Sequence, residues 1–196
     1  MNYDLPLFPL GQPLFPGVRL NLQIFEQRYI QLVRMSLRED KPFGIVAIAE
    51  GNEAGEAPEI YSVGLQVNIV DWRQQDNGLL GITVAGDRRF EIHDSWIEED
   101  GLLMAEAASL TDDSEEKNIS THELDGLESL LRELANHPAC SWINIDDKQM
   151  SPQELSWKLS QALPVSVEDK IPLLAESELD VRLELIQNYV DRLSAI

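Results

Sequence analysis

Few residues of this 196-residue chain have the types and spacing that enzyme chemistry needs. Its serines occur in no G-x-S-x-G motif, which would place a serine at a nucleophile turn, and none lies in a recognisable nucleophile setting. His93, His122 and His137 are scattered and accompany no nucleophile motif, so we interpret them as surface or loop residues. Cys140 is best interpreted as a small hydrophobic residue. The sequence therefore predicts no catalytic residue.

Metal and nucleotide patterns are also missing. One cysteine and three histidines form no C-x-x-C or H-E-x-x-H spacing. The acidic pairs Asp112-Asp113 and Asp146-Asp147 lack the glycine and terminal glutamate of a calcium loop, so we interpret them as solvated turns. No GxxxxGK[ST] motif is present to hold phosphates, and Gly81 to Gly86 contain no dinucleotide fingerprint. We predict no cofactor and no metal.

The composition indicates an acidic, soluble chain. Asp and Glu outnumber Lys and Arg by 35 to 15, a formal net charge of −20, so we expect no nucleic-acid and no membrane partner. The excess of acidic residues is explained by a need for solubility, or alternatively by attraction of basic partner segments. Asp4 stands where a signal peptide would be positive, no apolar run approaches the roughly 20 residues of a membrane span, and the single cysteine suits a reducing compartment. These features favour a cytoplasmic protein.

The N-terminal half has the pattern of a small β-barrel. Prolines at positions 6, 9, 13 and 16 exclude a helix from the opening segment, so we predict short strands there and a turn at Phe15-Pro16-Gly17. Apolar spacing then predicts an amphipathic helix over Glu26–Glu39. Further turns are predicted at Asp76-Asn77-Gly78, Ala85-Gly86-Asp87 and Glu99-Asp100-Gly101. The predicted strands are Phe43–Ala49, Tyr61–Trp72, Leu79–Val84, Arg89–His93 and Leu102–Ala108.

The C-terminal half changes to helical periodicity after an acidic connector, Thr111 to Lys117. One helix ends before Pro138, and Ser151-Pro152-Gln153-Glu154 is a capping-box arrangement that opens a helix through Leu163. Another helix begins at Ser166, and Pro172 limits the predicted helix to its first turns. The last runs from about Ser177 to Leu193. We predict two lobes, 1–110 and 111–196.

Several motifs resemble the N-terminal, substrate-recognition domain of Lon proteases. They are LPLFPL at Leu5 to Leu10, LFPG at Leu14 to Gly17, IFEQRY at Ile24 to Tyr29, LSWKLSQALP at Leu155 to Pro164, and Lys170 to Glu176 with Arg182-Leu183. Pro172 and Ala175 depart from the family pattern. The resemblance covers the whole chain and implies an α+β fold: a PUA-like β pseudo-barrel with one inserted helix, then an α-helical bundle. It also implies the recognition domain alone, without the ATPase and peptidase.

Six residues of the N-terminal motif are candidates for a peptide-binding or partner-binding surface. They are Phe8, Leu14, Phe15, Glu26, Arg28 and Tyr29. In the functional interpretation, Arg28 binds a carbonyl or carboxylate of the peptide. In the structural alternative, Glu26 lies at a helix N-terminus, Arg28 bridges nearby oxygens, and the apolar residues pack in the core. The four tryptophans offer a similar choice, and we expect at least three of them in the core.

The function that follows is a non-catalytic module that binds exposed apolar segments of unfolded proteins, or a protease or chaperone partner. An extended peptide would dock against a sheet edge or an inter-lobe groove. One alternative is an ATP-independent hydrolase or peptidase, disfavoured by the missing motifs. Another is RNA binding through the PUA-like lobe, disfavoured by the net charge of −20.

Overall fold

A computed structural model of the chain describes residues 2–76, 78–111, 121–140, 142–143 and 150–195. The chain divides into two compact units, Met1–Leu110 and Thr111–Ile196, named here the β unit and the helical unit. The predicted acidic turns at Asp112-Asp113 and Asp146-Asp147 lie outside the described residues. So do Asn77 of the predicted hairpin and all but the first residue of the acidic connector.

The β unit is a six-stranded sheet with one inserted helix. Five strands close into a barrel in the order β5-β4-β3-β1-β6, because β6 pairs back onto β5, and β2 pairs with the first part of β5. The predicted turn at Phe15-Pro16-Gly17 is present, since Val18 N–H donates to Phe15 O at 3.2 Å. The elements are β1 (Asn2–Leu10), β2 (Arg19–Ile24), α1 (Gln27–Glu39), β3 (Phe43–Glu50), β4 (Glu59–Gln74), β5 (Leu80–Ile97) and β6 (Leu103–Ser109).

Strand β1 is shared between two neighbours, and proline determines where one of them begins. Residues 2–6 pair antiparallel with β6, whereas residues 7–10 pair parallel with β3. Extending the β3 register backwards from the Leu7–Gly44 pair would bring Leu5 opposite Pro42. Neither Pro42 nor Pro6 has an N–H to donate to such a ladder. The β1–β3 ladder therefore begins only at Leu7, and the chain between α1 and β3 lies apart from β1.

The turn predicted at Ala85-Gly86-Asp87 is wrong, because β5 continues through it without a break. Gly86 donates its N–H to Val18 O at 2.9 Å. A Cβ at this position would lie 2.5 Å from Leu65 Cδ2 and 2.7 Å from Phe15 O. Gly86 therefore allows the turn at Phe15-Pro16-Gly17 to approach β5 closely, and Gly86 does not itself form a turn.

The helical unit contains four α-helices and a 3₁₀ turn in its described part. The predicted caps are present: Ser151 Oγ accepts from Glu154 N–H at 3.2 Å, and Ser166 Oγ accepts from Asp169 N–H at 3.2 Å. Pro172 lies inside the helix that follows Ser166, and this helix continues beyond the predicted first turns to Ala175. The elements are α2 (Thr121–Ala135), the 3₁₀ turn (Pro138–Cys140), α3 (Pro152–Ala162), α4 (Val167–Ala175) and α5 (Leu179–Ser194).

Arg182 of α5 connects three parts of the helical unit. Its side chain is fully buried, with 0 % exposure. Its Nε donates to Ser156 Oγ at 3.0 Å, Nη1 donates to Glu176 O at 2.6 Å, and Nη2 donates to Gln153 Oε1 at 2.8 Å. The guanidinium carbon lies 3.5 Å from the ring centroid of Trp157. Hydrogen bonds and a cation–π contact together compensate for the burial of this charge.

Lys170 of α4 makes a comparable contact with α3. Its buried Nζ donates to Gln161 O at 2.8 Å, a carbonyl in the last turn of α3. Such carbonyls have no partner within their own helix, so a cation there stabilises the helix end. Burial lowers the pKa of the Lys170 amine. Lys170 and Arg182 belong to motifs that carry the family resemblance. Their side chains therefore make the contacts that join these helices.

The predicted fold class is confirmed as α+β, with a β pseudo-barrel containing one inserted helix, followed by α-helices. Across the described ranges, no helix is long and apolar enough to cross a membrane.

The contact at Gly86 predicts opposite effects for one substitution at two glycines. Gly86→Ala should destabilise the protein by about 1–3 kcal/mol, because the added methyl overpacks against Leu65 and the backbone of Phe15. Gly126→Ala is the control, since a Cβ there meets nothing within 4 Å and Gly126 lies in α2. It should stabilise the helix by roughly 0.5–1 kcal/mol. Urea unfolding followed by circular dichroism measures both, and an unchanged Gly86→Ala midpoint would contradict the close approach.

The Arg182 contacts predict a large effect at one arginine of α5 and a small one at another. Arg182→Ala should cost about 3–5 kcal/mol, because it leaves buried oxygens unpaired and a void beside Trp157. Arg192→Ala should cost less than about 1 kcal/mol, since Arg192 Nη1 lies 3.9 Å from Asp169 Oδ1 at an exposed position. Urea unfolding monitored at 222 nm tests the difference. Equal midpoints for the two variants would show that Arg182 does not hold the helices together.

Candidate functional site

Arg28 lies at the start of α1 and contacts a loop remote in sequence. Its Nη1 donates to Gly101 O at 3.0 Å, and its Nη2 lies 2.9 Å from Glu26 Oε2. Its guanidinium carbon is 4.7 Å from the ring centroid of Tyr29. Only 9 % of Arg28 is exposed, so its donors face the protein. This geometry is the structural alternative foreseen from the sequence: Arg28 bridges a carbonyl and a carboxylate of its own chain.

The apolar members of the predicted site lie in the core. Phe15 has 0 % exposure, and Leu14, Phe8 and Tyr29 are also buried. The rings of Phe8 and Tyr29 are 4.3 Å apart between centroids and inclined by 35°, so α1 packs on β1 through them. The structure brings Phe8, Arg28 and Tyr29 together beneath the start of α1. A binding role for the six residues stays a prediction.

Tyr29 has a perturbed acidity that follows from this packing. Burial is the main cause that raises the pKa of its hydroxyl, to about 12. The Arg28 charge opposes the rise, whereas the Glu26 and Glu53 carboxylates add to it. The neutral phenol is therefore the form that the folded protein holds at ordinary pH.

The expectation that at least three tryptophans lie in the core is wrong. Trp157 is buried, but Trp72 is 60 % exposed, and Trp96 and Trp142 are half-buried. Trp72 lies near the end of β4, paired with Ile82 of β5, after an irregularity in the β4–β5 register. Alternation along a strand did not indicate this, because the register shift changes which residues face the core.

Strand β2 has one open edge. It pairs with β5 from Arg19 to Ile24 and has no second strand neighbour among the described residues. Phe25 follows it and is 62 % exposed. The polar side chains beside β2 bond to each other: Thr83 Oγ1 donates to Asn21 Oδ1 at 2.7 Å, and Gln23 Nε2 donates to Gln75 Oε1 at 2.6 Å. An edge of this kind can accept an added strand.

A second open region lies where β1 and β3 separate, named here the fork cleft. It has a volume of about 350 Å³. Two hydrogen bonds fix the chain at the end of α1, which borders the cleft. Ser36 Oγ donates to Lys41 O at 2.6 Å, and Lys41 N–H donates to Ser36 O at 3.2 Å. Asp40 takes the left-handed conformation, with φ 51°. The apolar walls come from β1, α1, the segment before β3, and β6: Leu5, Pro6, Leu32, Met35, Pro42 and Met104.

The histidine, cysteine, aspartate and glutamate side chains that the structure describes are dispersed. In this part of the chain, no cluster of three or more His, Cys, Asp or Glu residues could hold a metal ion. Buried Cys140 and Lys170 lie in the helical unit, where Lys170 bonds a helix carbonyl. What the β unit offers is an open strand edge and an apolar cleft.

Comparison with solved structures defines the class of domain. The Lon N-terminal domain protein from Xanthomonas campestris has a similar structure, with TM-score 0.74 and 27 % identity, over 95 % of this chain and 98 % of that chain. The N-terminal domain of a Lon protease from Mycobacterium avium complex shares the fold, with TM-score 0.72 and 16 % identity, over 96 % of this chain and 98 % of that one. The architecture is that of a Lon N-terminal domain.

The sequence family agrees with this class. The model of the ATP-dependent protease La (LON) substrate-binding domain matches residues 4–192, and the chain belongs to that family. Lon protease 2 of Myxococcus xanthus is 26 % identical over 96 % of this chain and 23 % of its own length. The Lon protease of Brevibacillus choshinensis is 25 % identical over 93 % of this chain and 24 % of its own length. The chain thus spans about a quarter of the length of these curated relatives.

The raised pKa of Tyr29 predicts a loss of stability in alkali. Its unfolded-state pKa is near 10 and its folded-state pKa about 12, so the unfolded state binds fewer protons between these values. The protonated Tyr29 hydroxyl therefore contributes to the free energy of unfolding below pH 10, and this contribution is lost as the pH rises towards 12. The free energy of unfolding should fall more steeply from pH 9 to 11 in the wild type than in Tyr29→Phe. Parallel slopes in urea unfolding would contradict the assignment.

Proposed function

We propose that this protein is a non-catalytic recognition module that binds exposed apolar segments of unfolded proteins, including such a segment in a protease or chaperone partner. The observation that carries the proposal is the match of residues 4–192 to a substrate-binding domain family. The two solved structures with this fold are named as a Lon N-terminal domain protein and as the N-terminal domain of a Lon protease, which links the architecture to proteolysis.

The β unit supports this function through its two open regions. An extended segment can form main-chain hydrogen bonds along a free strand edge, while its alternate side chains enter apolar pockets. The β2 edge offers the first feature beside exposed Phe25, and the fork cleft offers an apolar pocket. Backbone pairing is independent of sequence, so one surface of this kind accepts many unfolded chains.

The six predicted site residues take a positioning role in this proposal. Arg28 and Glu26 fix the start of α1 against Gly101, while Phe8 and Tyr29 hold that helix on β1. Five of the six are buried and Glu26 is half-buried, so they leave little surface for direct contact with a ligand. They maintain the shape of the β unit, and accessible atoms elsewhere bind the segment.

The acidic surface adds selectivity. A formal net charge of −20 repels polyanions and favours partner segments that carry Lys and Arg. Nothing observed favours hydrolysis or RNA binding as a second function.

Binding to a permanently unfolded protein tests the proposal. The probe is reduced lysozyme, a basic protein, with its thiols blocked by neutral carboxamidomethyl groups and a fluorophore attached, and the control is the same labelled protein in its native, disulfide-bonded form. We expect saturable anisotropy with the unfolded probe and at least roughly tenfold weaker binding to the native one, a difference of about 1.4 kcal/mol. Equal affinity for both forms, or no binding to either, would overturn the proposal.

The same samples test the alternative functions. Casein is incubated with the protein, with and without ATP, and we expect no fragments. Cleavage abolished by a single Ser→Ala substitution would show a peptidase instead. Retention on an RNA resin at moderate salt would contradict the expected repulsion of phosphates.

A further inference from the structure

The fork cleft combines an apolar pocket with an unpaired stretch of strand. Residues 2–6 of β1 pair with β6 on one side, and the β3 ladder begins only at Leu7 on the other. In a strand, the backbone N–H and C=O groups of successive residues point to opposite sides. Part of the β1 backbone between Tyr3 and Leu5 therefore faces the cleft, where no described strand pairs with it.

The cleft is large enough for a bulky side chain. Its volume of about 350 Å³ is at the lower end of the roughly 300–1,000 Å³ typical of ligand pockets. Met35 and Met104 line it, and methionine adapts its shape to different apolar partners. The Leu5 and Leu32 side chains beneath are 3 % and 1 % exposed. The pocket thus suits one apolar side chain of a longer chain.

Two carboxylates lie beside the cleft, and the lysine that also lines it is paired elsewhere, since Lys41 Nζ lies 3.0 Å from Glu39 Oε2. Asp4, which lines the cleft, is directly opposite Glu106 in the β1–β6 register. Glu106 accepts a hydrogen bond from Asn2 Nδ2 at 3.2 Å, and neither acid forms an ion pair with a described residue. Like charges directly opposite each other on a sheet repel, so a cation placed there would relieve the repulsion. The cleft is therefore complementary to a basic group next to an apolar one.

From these observations we infer that the fork cleft is the docking site for an extended partner segment in which a bulky apolar side chain is flanked by Lys or Arg. The segment runs along the free side of β1 near Tyr3 to Leu5, and its apolar side chain enters the pocket between Met35 and Met104. Its basic neighbour approaches Asp4 and Glu106. This inference rests on the proposed function and names its site and its preferred substrate.

The first experiment places one charge inside the cleft and one outside it. Met35→Lys puts a cation into the pocket, while Leu37→Lys makes the same change on α1 at a residue that is 45 % exposed and outside the cleft. The probe is a fluorescein-labelled peptide with a Leu-Phe-Leu centre flanked by two lysines on each side. Met35→Lys should weaken binding by roughly tenfold or more, the cost of losing one buried apolar contact. Leu37→Lys should change binding less than about twofold.

The second experiment tests the charge preference with substitutions that keep side-chain size. The Asp4→Asn, Glu106→Gln double variant should reduce the preference for the lysine-flanked peptide over a glutamate-flanked one by several-fold. The control double variant, Asp76→Asn with Asp87→Asn, changes the net charge equally at sites outside the cleft and should retain the preference. Circular dichroism and thermal midpoints verify that every variant is folded.

The outcomes separate this inference from the proposed function. If wild type binds the peptide and unfolded lysozyme, but Met35→Lys binds as well as Leu37→Lys, the recognition function stands and the fork cleft is overturned as its site. Loss of binding in Phe25→Lys alone would place the site at the β2 edge and also overturn the cleft. If wild type binds neither probe, both proposals fail. Equal loss of preference in the two double variants that remove carboxylates would overturn the role of the Asp4–Glu106 pair. It would show that overall charge determines the preference for the lysine-flanked peptide.

Discussion

A buried strand needs partners for its N–H and C=O groups, and in this barrel one strand obtains them from two neighbours in succession. β1 pairs with β6 over residues 2–6 and with β3 over residues 7–10. Pro6 and Pro42 cannot donate to a longer β1–β3 ladder, so the change occurs at a fixed position. Leu5 and Leu7, one on each side of the change, both belong to the same core cluster. Closure of the barrel and the opening of the fork cleft therefore have a single cause.

Much of the fold was predictable because its signals are local. Prolines in the opening segment, apolar spacing in α1 and the serine caps of α3 and α4 each indicate structure through neighbouring residues. Gly86 was misinterpreted because a glycine permits either a turn or a close contact, and the contact with Phe15 involves a distant part of the chain. The exposure of Trp72 was missed for a related reason, since it depends on an irregular register with β5.

The candidate site was less predictable than the fold. Arg28 is a polar residue within an apolar motif, which favoured a binding role, yet the structure uses this side chain to hydrogen-bond Gly101 O and to form an ion pair with Glu26 of its own chain. The fork cleft gave no local signal, because Met35 and Met104 come from a helix and a strand far apart in the sequence. A pocket formed by residues from several elements becomes visible only when the topology is known.

The distribution of cations affects how acidic the surface of this chain is. Four basic side chains among the described residues are buried: Arg28, Arg89, Lys170 and Arg182. Arg28, Lys170 and Arg182 donate to backbone carbonyls, so their charges are used inside the fold. The accessible surface is consequently more acidic than the composition alone indicates. In the proposed docking, one apolar pocket and a few ladder bonds would give modest affinity once the cost of ordering a segment is included, and modest affinity would allow the bound segment to be released.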